Sequence, residues 1–196
     1  MCGCDSPCRK HTCRNGILGI ICAPNCCVYA GQCGNSLTEI ENVELVRRDQ
    51  TPDLAVRATS PIERGMVIGQ YLGKVLVERD DDDDFEDDDN SFLAPTLNSG
   101  YRYQFTRDSC SHPHAKIIID AEDYGCITRF MNHSCNATAR FHEVRNGTEH
   151  TVVVAAERDI APGEEITINY GTNIGFICRC KEPSCAHRYL RRIVEE

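Results

Sequence analysis

Cysteine constrains this chain more than any other residue type, because it occurs fourteen times in 196 residues. Eight of the cysteines lie between residues 2 and 33, and three more lie between residues 178 and 185. Their spacings are short, and thiols spaced in this way converge on one metal ion more readily than they pair with one another. We therefore predict zinc sites near both ends of the sequence. The alternative is a disulfide-rich secreted head.

The first 34 residues consist mainly of cysteine, glycine, asparagine and short polar stretches. They have too few apolar side chains to bury a core of their own, so a metal must hold them together. The whole chain is 41% hydrophobic, which is ordinary for a globular protein, and its length suits one main domain. No apolar run reaches the ~18 residues of a membrane span and no signal peptide is evident, so we expect a soluble intracellular protein.

The chain is acidic, with a formal net charge of −9. Nine acidic residues fall in a single run at residues 80–89. An acidic chain is a poor match for nucleic acid, whose phosphates need a basic surface, so a cationic peptide is the better-matched partner. The run itself is interpreted either as a solvated loop or as an acidic guide for a basic peptide tail.

Apolar patterning predicts short strands in several places. The segments are residues 43–46, 66–72, 101–105, 116–120, 139–144 and 151–156. The last two are joined through Asn146 and Gly147, and Asn-Gly is a strong hairpin signal. Pattern alone therefore predicts a mostly-β domain with zinc-binding ends.

Three motifs near the C-terminal end carry the chemistry. They are RFMNHSC at residues 129–135, GEEITINYG at residues 163–171, and a Cys-x-Cys-x4-Cys pattern at residues 178–185. Their order and separations resemble the SET-domain protein lysine methyltransferases, which carry a zinc-binding post-SET loop. The resemblance implies a mostly-β SET (β-clip) fold of several small twisted sheets, with a knot-like threading of the C-terminal segment and zinc-binding cysteine clusters at its flanks.

The same resemblance divides the chain into three parts. It implies a zinc head similar to the AWS type of pre-SET module at residues 1–34. It implies a SET catalytic domain at residues 40–172, with the acidic insertion at residues 80–89. A post-SET zinc loop would occupy residues 173–190.

The resemblance also implies how the cysteines bind metal. In the AWS type of head, seven thiolates hold two zinc ions and share one ligand. The implied ligands are Cys2, Cys4, Cys8, Cys13, Cys22, Cys33 and one of the pair Cys26 and Cys27, of which we take Cys26. The first four spacings also fit the pre-SET head of the lysine-nine methyltransferases. At the other end, Cys135 would join Cys178, Cys180 and Cys185 on a third zinc ion.

The family's cofactor is S-adenosylmethionine (SAM), and the resemblance implies which residues contact it. The expected cofactor-binding residues are Leu54, Arg129, Phe130, Asn132, His133, Tyr170 and Phe176. Relatives have a Gly-x-Gly whose backbone approaches SAM, and here residues 53–55 read Asp-Leu-Ala instead. Glycine allows a close backbone approach that other residues allow less well, so this departure bears on cofactor affinity.

Two tyrosines, Tyr170 and Tyr103, are the expected catalytic residues. The Tyr170 hydroxyl would orient the substrate amine and stabilise developing charge. Tyr103, Phe105 and Ile168 would line the lysine channel. Relatives carry Phe or Tyr at the position of Ile168, and the smaller Ile favours a product beyond monomethyl lysine.

The implied function is SAM-dependent methylation of a protein lysine in the nucleus. The implied partner is a histone H3 tail or nucleosome, with lysine 36 favoured and lysine 9 next. No nucleic-acid motif or membrane segment is expected. The alternative is a catalytically impaired SET-like module that binds histone or other basic peptides, and the missing Gly-x-Gly is the feature that favours it.

Overall fold

The computed structural model describes residues 2–37, 41–48, 53–79, 100–105, 115–146, 149–171, 174 and 176–188. The acidic run at residues 80–89 lies outside this set, as do residues 147–148 between the two strands of the predicted hairpin. No helix within the described residues is both long and apolar enough to cross a bilayer.

Short strands dominate the described residues. They are β1 (Val43–Arg47), β2 (Leu54–Ala58), β3 (Val67–Gln70), β4 (Lys74–Arg79), β5 (Arg102–Gln104), β6 (Ala115–Asp120), β7 (Asn132–His133), β8 (Ala139–Asn146), β9 (Glu149–Ala156) and β10 (Thr167–Ile168). The helical elements with both ends in the described residues are α1 (Arg14–Ile17) and a 3₁₀ helix at Ile127–Phe130, and Arg188, the last described residue, is also helical. The predicted mostly-β fold is confirmed.

The strands form three small sheets. β1 pairs with β2, β4-β6-β5 form a second sheet, and the third has the order β3-β9-β8-β10-β7. β8 and β9 pair antiparallel in register from Ala139 opposite Ala156 to Asn146 opposite Glu149. This long hairpin is the centre of the largest sheet.

Strand β9 joins three apolar clusters, because Val152, Val153 and Val154 are all fully buried. Consecutive buried residues mean that both faces of the strand are covered. Val154 belongs to the main core, Val152 packs in the cluster beneath β5 and β6, and Val153 packs with Ile21 of the cysteine-rich head. The head is therefore part of the packing of the domain.

The first and second motifs, at residues 129–135 and 163–171, meet through a very short parallel pairing. β10 lies beside β7, with Thr167 opposite Asn132 and Ile168 opposite His133. The Ser134 backbone N–H also donates to the Ile168 carbonyl at 3.0 Å. This pairing brings the chain from β10 onward directly over the motif that begins at residue 129.

Replacing Ile166 by Ala tests the main core. Ile166 is fully buried next to β10, so the variant should lose about 2–5 kcal/mol of the free energy of unfolding. Val75→Ala, at a side chain that is 63% exposed, is the matched control and should cost less than about 0.5 kcal/mol. Urea unfolding at constant zinc concentration measures both, and equal losses would contradict the described core.

Candidate active site and metal centres

Two cavities share part of their walls. The first, of about 610 Å³, is here named the His133 cavity and is also lined by Arg48, Asp53, Leu54, Phe130 and Asn132. The second, of about 560 Å³, is named the Tyr103 cavity and is also lined by Tyr71, Gln104, Thr128, Phe141 and Asn169. Among the described residues, those that line both are Gly100, Arg129, Tyr170 and Phe176.

Tyr170 is fixed at this shared wall by two hydrogen bonds. Its hydroxyl donates to the Met131 carbonyl at 2.6 Å, and its backbone N–H donates to Nδ1 of His133 at 3.1 Å. Burial, with a smaller contribution from Tyr101, raises the pKa of the Tyr170 phenol to about 12. The hydroxyl is therefore protonated at neutral pH and keeps its oxygen lone pairs beside the Tyr103 cavity.

A chain of polar contacts builds one wall of the His133 cavity. The Asn132 amide donates to the Leu54 carbonyl and to Oε1 of Glu165, both at 2.9 Å. The other carboxylate oxygen of Glu165 pairs with Arg48 at 3.2 Å. Strand β2 and both motifs are thus tied together, and Arg48 and Asp53 bring charges of opposite sign to the cavity.

Among the described residues, five aromatic side chains line the Tyr103 cavity, together with the charged side chains of Glu78, Arg102 and Arg129. The Tyr103 ring lies 5.2 Å from that of Phe141, and its hydroxyl donates to Oε1 of Glu143 at 3.2 Å. Burial, together with the neighbouring Glu143, raises the pKa of Tyr103 well above its ordinary value. In the shared wall, the Arg129 guanidinium carbon lies 4.9 Å from the centroid of the Tyr101 ring, a cation–π contact.

Four thiols meet beside the His133 cavity. They belong to Cys135, Cys178, Cys180 and Cys185 and are named the tail cluster. The sulfur–sulfur distances are 3.7–3.8 Å for the pairs Cys135 and Cys178, Cys135 and Cys185, and Cys178 and Cys185. Four sulfurs around one zinc ion lie about 3.8 Å apart, given Zn–S bonds of about 2.3 Å. The tail cluster therefore fits a tetrahedral zinc ion.

The cysteine-rich head contains two overlapping groups of thiols. One is Cys2, Cys8, Cys13 and Cys22, and the other is Cys8, Cys22, Cys27 and Cys33. Neighbouring sulfurs are 3.7–3.9 Å apart. Cys4 packs against the same cluster, and its thiol interacts with those of Cys13, Cys8 and Cys2. Seven thiols thus converge in a buried cluster that fits two metal ions with shared ligands.

The family model of the SET domain matches residues 53–171, which include β2, the β7–β10 pairing and Tyr170. The chain belongs to the SET-domain family.

Relatives of this SET domain include two proteins named as histone-lysine N-methyltransferases and one whose name contains "variant-silencing". The "Variant-silencing SET domain-containing protein" of Plasmodium falciparum is 29% identical over 202 residues, which is 96% of this chain and 8% of the relative. "Histone-lysine N-methyltransferase ash1" of Drosophila melanogaster is 29% identical over 94% of this chain and 8% of its own length. "Histone-lysine N-methyltransferase, H3 lysine-36 specific" of Kluyveromyces lactis is 31% identical over 94% of this chain and 25% of its own length. The chain spans a quarter or less of these relatives.

The SET domain brings the predicted cofactor-binding residues together. Leu54, Arg129, Phe130, Asn132, His133, Tyr170 and Phe176 all line the His133 cavity. Tyr103 and Tyr170, the predicted catalytic residues, both line the Tyr103 cavity. The roles of these residues remain predictions.

Two of the three residues predicted to line the lysine channel lie elsewhere in this SET domain. Phe105 is 7% exposed and packs with Tyr71 and Ile119, and Ile168 is 1% exposed in the main core. Alternation explains the second difference, because Ile168 shares a strand face with Ile166, which is fully buried. Among the described residues, both therefore belong to the core and not to the cavity walls.

The choice between adjacent cysteines in the head also differs from the expectation. Among the described residues, the thiol groups include Cys27 and not Cys26. The Cys26 sulfur instead accepts hydrogen bonds from the Asn15 amide at 3.4 Å and the Ala23 backbone N–H at 3.3 Å. Cys27 therefore replaces Cys26 as the seventh candidate ligand.

Three further residues of the site carried no motif in the sequence. Arg48 lines the His133 cavity, Glu143 accepts from Tyr103, and His187 lies within 3.3 Å of the Cys135 sulfur. The only signal for His187 was its place two residues after the last cysteine. Arg48 and Glu143 could be found only from the structure, because the packing of separate strands brings them to the site.

Replacing the adjacent cysteines one at a time tests the head. Cys27→Ser should lower its metal content, because Cys27 lies 3.8 Å from Cys8 and 3.9 Å from Cys33 in the thiol cluster. Cys26→Ser should leave the metal content unchanged, since a hydroxyl also accepts hydrogen bonds. Metal analysis of the purified variants measures both, and loss of metal from Cys26→Ser alone would reverse the assignment.

Proposed function

We propose that this SET domain transfers methyl groups from SAM to lysine 36 of histone H3. The observation that carries the proposal is the position of Tyr170, which lies in the wall that the His133 cavity and the Tyr103 cavity share. The names of the Drosophila and Kluyveromyces relatives support a histone-lysine substrate, and the second names lysine 36. None of the relatives described above is named for lysine 9, so lysine 36 is the substrate proposed.

The His133 cavity suits SAM in size and chemistry. Its volume of about 610 Å³ falls in the usual range for small-molecule sites. Arg48 and Asp53 offer opposite charges for the carboxylate and ammonium of the cofactor's amino-acid end. Phe130 and Phe176 offer aromatic surfaces for its adenine. Bound there, SAM would supply an electrophilic methyl group on its sulfonium.

The Tyr103 cavity would receive the substrate lysine. The amine must arrive uncharged, and lowering the pKa of a lysine from about 10.4 to about 8 costs about 3 kcal/mol. The aromatic side chains reduce the contact of the amine with water, and the guanidinium groups of Arg102 and Arg129 outnumber the single carboxylate of Glu78 in the lining and disfavour a further cation. Tyr103 donates its hydroxyl hydrogen to Glu143, so its oxygen remains able to accept a hydrogen bond from the amine.

Tyr170 would align the amine for transfer. Because its hydroxyl hydrogen is given to the Met131 carbonyl, the oxygen can accept an N–H of the amine and direct the nitrogen lone pair toward the His133 cavity. A direct displacement depends on such alignment. His133 holds the Tyr170 backbone, so the two motifs act together on the position of one hydroxyl.

A rival function is peptide binding without methyl transfer, which the missing Gly-x-Gly favours. Against it, the Leu54 carbonyl accepts a hydrogen bond from the Asn132 amide at 2.9 Å. This bond keeps β2 beside the motif at residues 129–135, here called the cofactor motif, without glycine.

We further propose that the protein acts in the nucleus on nucleosomes. The head, the SET domain and the tail cluster would then form an AWS-like module, a catalytic domain and a post-SET loop.

The test of the proposed function is a methyl-transfer assay with labelled SAM and nucleosomes. Histone H3 should be labelled, and replacement of lysine 36 by arginine should remove the label while replacement of lysine 9 should not. Label that survives the lysine 36 change would refute the proposed site. Binding of H3 without any label would favour the rival function.

Replacing Tyr170 by Phe should lower the rate of methyl transfer about 100-fold or more, because the hydroxyl that orients the amine is lost. The dissociation constant for S-adenosylhomocysteine should change little, since that hydroxyl faces the amine. Tyr124→Phe, at a ring that is 74% exposed, is the matched control. A Tyr170→Phe variant with unaltered turnover would remove Tyr170 from the mechanism.

The purified chain should contain three zinc ions, two in the head and one in the tail cluster. Seven thiols can hold two ions by sharing ligands, and four thiols hold one. Cys178→Ser should reduce the count to two. Elemental analysis decides it, and a single ion in folded protein would contradict the metal assignment.

A further inference from the structure

His187 lies at the tail cluster, although it belongs to none of the motifs. Its side chain is buried, with 3% of the residue exposed. Its Nδ1 lies 3.3 Å from the sulfur of Cys135, and its ring lies 5.5 Å from that of His133. A buried imidazole has to be accounted for by its polar contacts, and the sulfur of Cys135 is one of them.

The ring of His133 also approaches the Cys135 sulfur, through the nitrogen that does not contact Tyr170. Nδ1 of His133 accepts the backbone N–H of Tyr170 at 3.1 Å, so the ring hydrogen is on Nε2. That Nε2 lies 3.5 Å from the Cys135 sulfur. One thiol therefore faces two imidazoles, and one of them holds the Tyr170 backbone.

Two sets of metal ligands overlap here. One is the tail cluster, and the other is His133, Cys135, Cys178 and His187. The second set would leave Cys180 and Cys185 without a metal. It would also need a lone pair on Nε2 of His133, which carries the ring hydrogen because Nδ1 accepts the Tyr170 backbone N–H. Four thiolates around one zinc ion carry a net charge of −2, and N–H donors directed at a sulfur offset part of that charge.

We propose that His187 is a positioning residue: it donates Nδ1–H to the Cys135 thiolate of a four-sulfur metal centre and thereby fixes the tail against the cofactor motif. Cys135 then connects the metal, His187 and His133, and His133 connects to Tyr170. The imidazole acts through the thiolate and touches neither substrate nor cofactor. The effect on the cofactor cavity rests on the proposed function, whereas the effect on the metal does not.

The test compares two substitutions of His187 in the full chain. His187→Leu removes the donor and keeps an apolar side chain of moderate size. His187→Asn keeps an amide N–H close to the place of Nδ1. His150→Leu, at an exposed histidine of β9, is the matched control. Circular dichroism and zinc content establish that each variant is folded.

Two readouts follow the metal itself. In the cobalt-substituted wild-type protein, the absorption bands should be those of cobalt with four sulfur ligands. The His187→Leu variant should shift the sulfur-to-cobalt charge-transfer bands. The His187→Asn variant should have these bands at the wild-type positions. Chelator-driven release of the tail zinc should be about tenfold or more faster in His187→Leu. In His187→Asn and His150→Leu it should stay near the wild-type rate. The phase that is absent in Cys178→Ser identifies the tail zinc.

Three results would overturn the proposal. A wild-type cobalt spectrum with nitrogen ligation would make His187 a ligand. Equal rates of zinc release from the His187→Leu variant and the wild type would show that the imidazole has no effect on the metal. Equal release from the Leu and Asn variants would show that shape matters and the hydrogen bond does not. These readouts need neither SAM nor histone, so a chain without methyl transfer would refute the proposed function and leave this test intact.

Discussion

The pairing of β7 with β10 is the contact on which the site depends. It joins only Asn132 with Thr167 and Ile168 with His133, two residue pairs that lie 35 positions apart in the chain. So short a parallel contact cannot be stable alone, because closing the loop costs more entropy than two pairs return. Its surroundings stabilise it: Ile166 and Ile168 are buried in the main core, and Tyr170 is bound to Met131 and His133.

Metal binding would supply what apolar burial does not at the two ends of the chain. The head is short, and its buried cluster consists of cysteines, so its order would depend on ions that bind the folded chain and not the unfolded one. At the other end, the tail cluster joins Cys135, the last residue of the motif at 129–135, to the segment that carries Phe176. Metal at this point would connect the order of the tail to the walls of both cavities.

Sequence alone could predict the strands, the meeting of the two motifs and most of the cysteines whose thiols cluster. These follow from apolar patterning and from motifs whose order is diagnostic. The choice of Cys27 over Cys26 could not be predicted, because adjacent cysteines have nearly the same spacing and the contacts of Asn15 and Ala23 decide between them. Ile168 was misplaced because family position was given more weight than strand alternation. His187 was missed because its relevance depends on folding beside Cys135.

The central claim is that Tyr170 stands between a bound cofactor and a bound lysine. The most direct measurement is a structure of the chain with S-adenosylhomocysteine and a histone H3 peptide centred on lysine 36. The proposed function predicts that S-adenosylhomocysteine lies in the His133 cavity. It also predicts that the lysine nitrogen lies in the Tyr103 cavity, within hydrogen-bond distance of the Tyr170 hydroxyl. A cofactor product in the Tyr103 cavity, or a lysine that ends away from Tyr170, would contradict it.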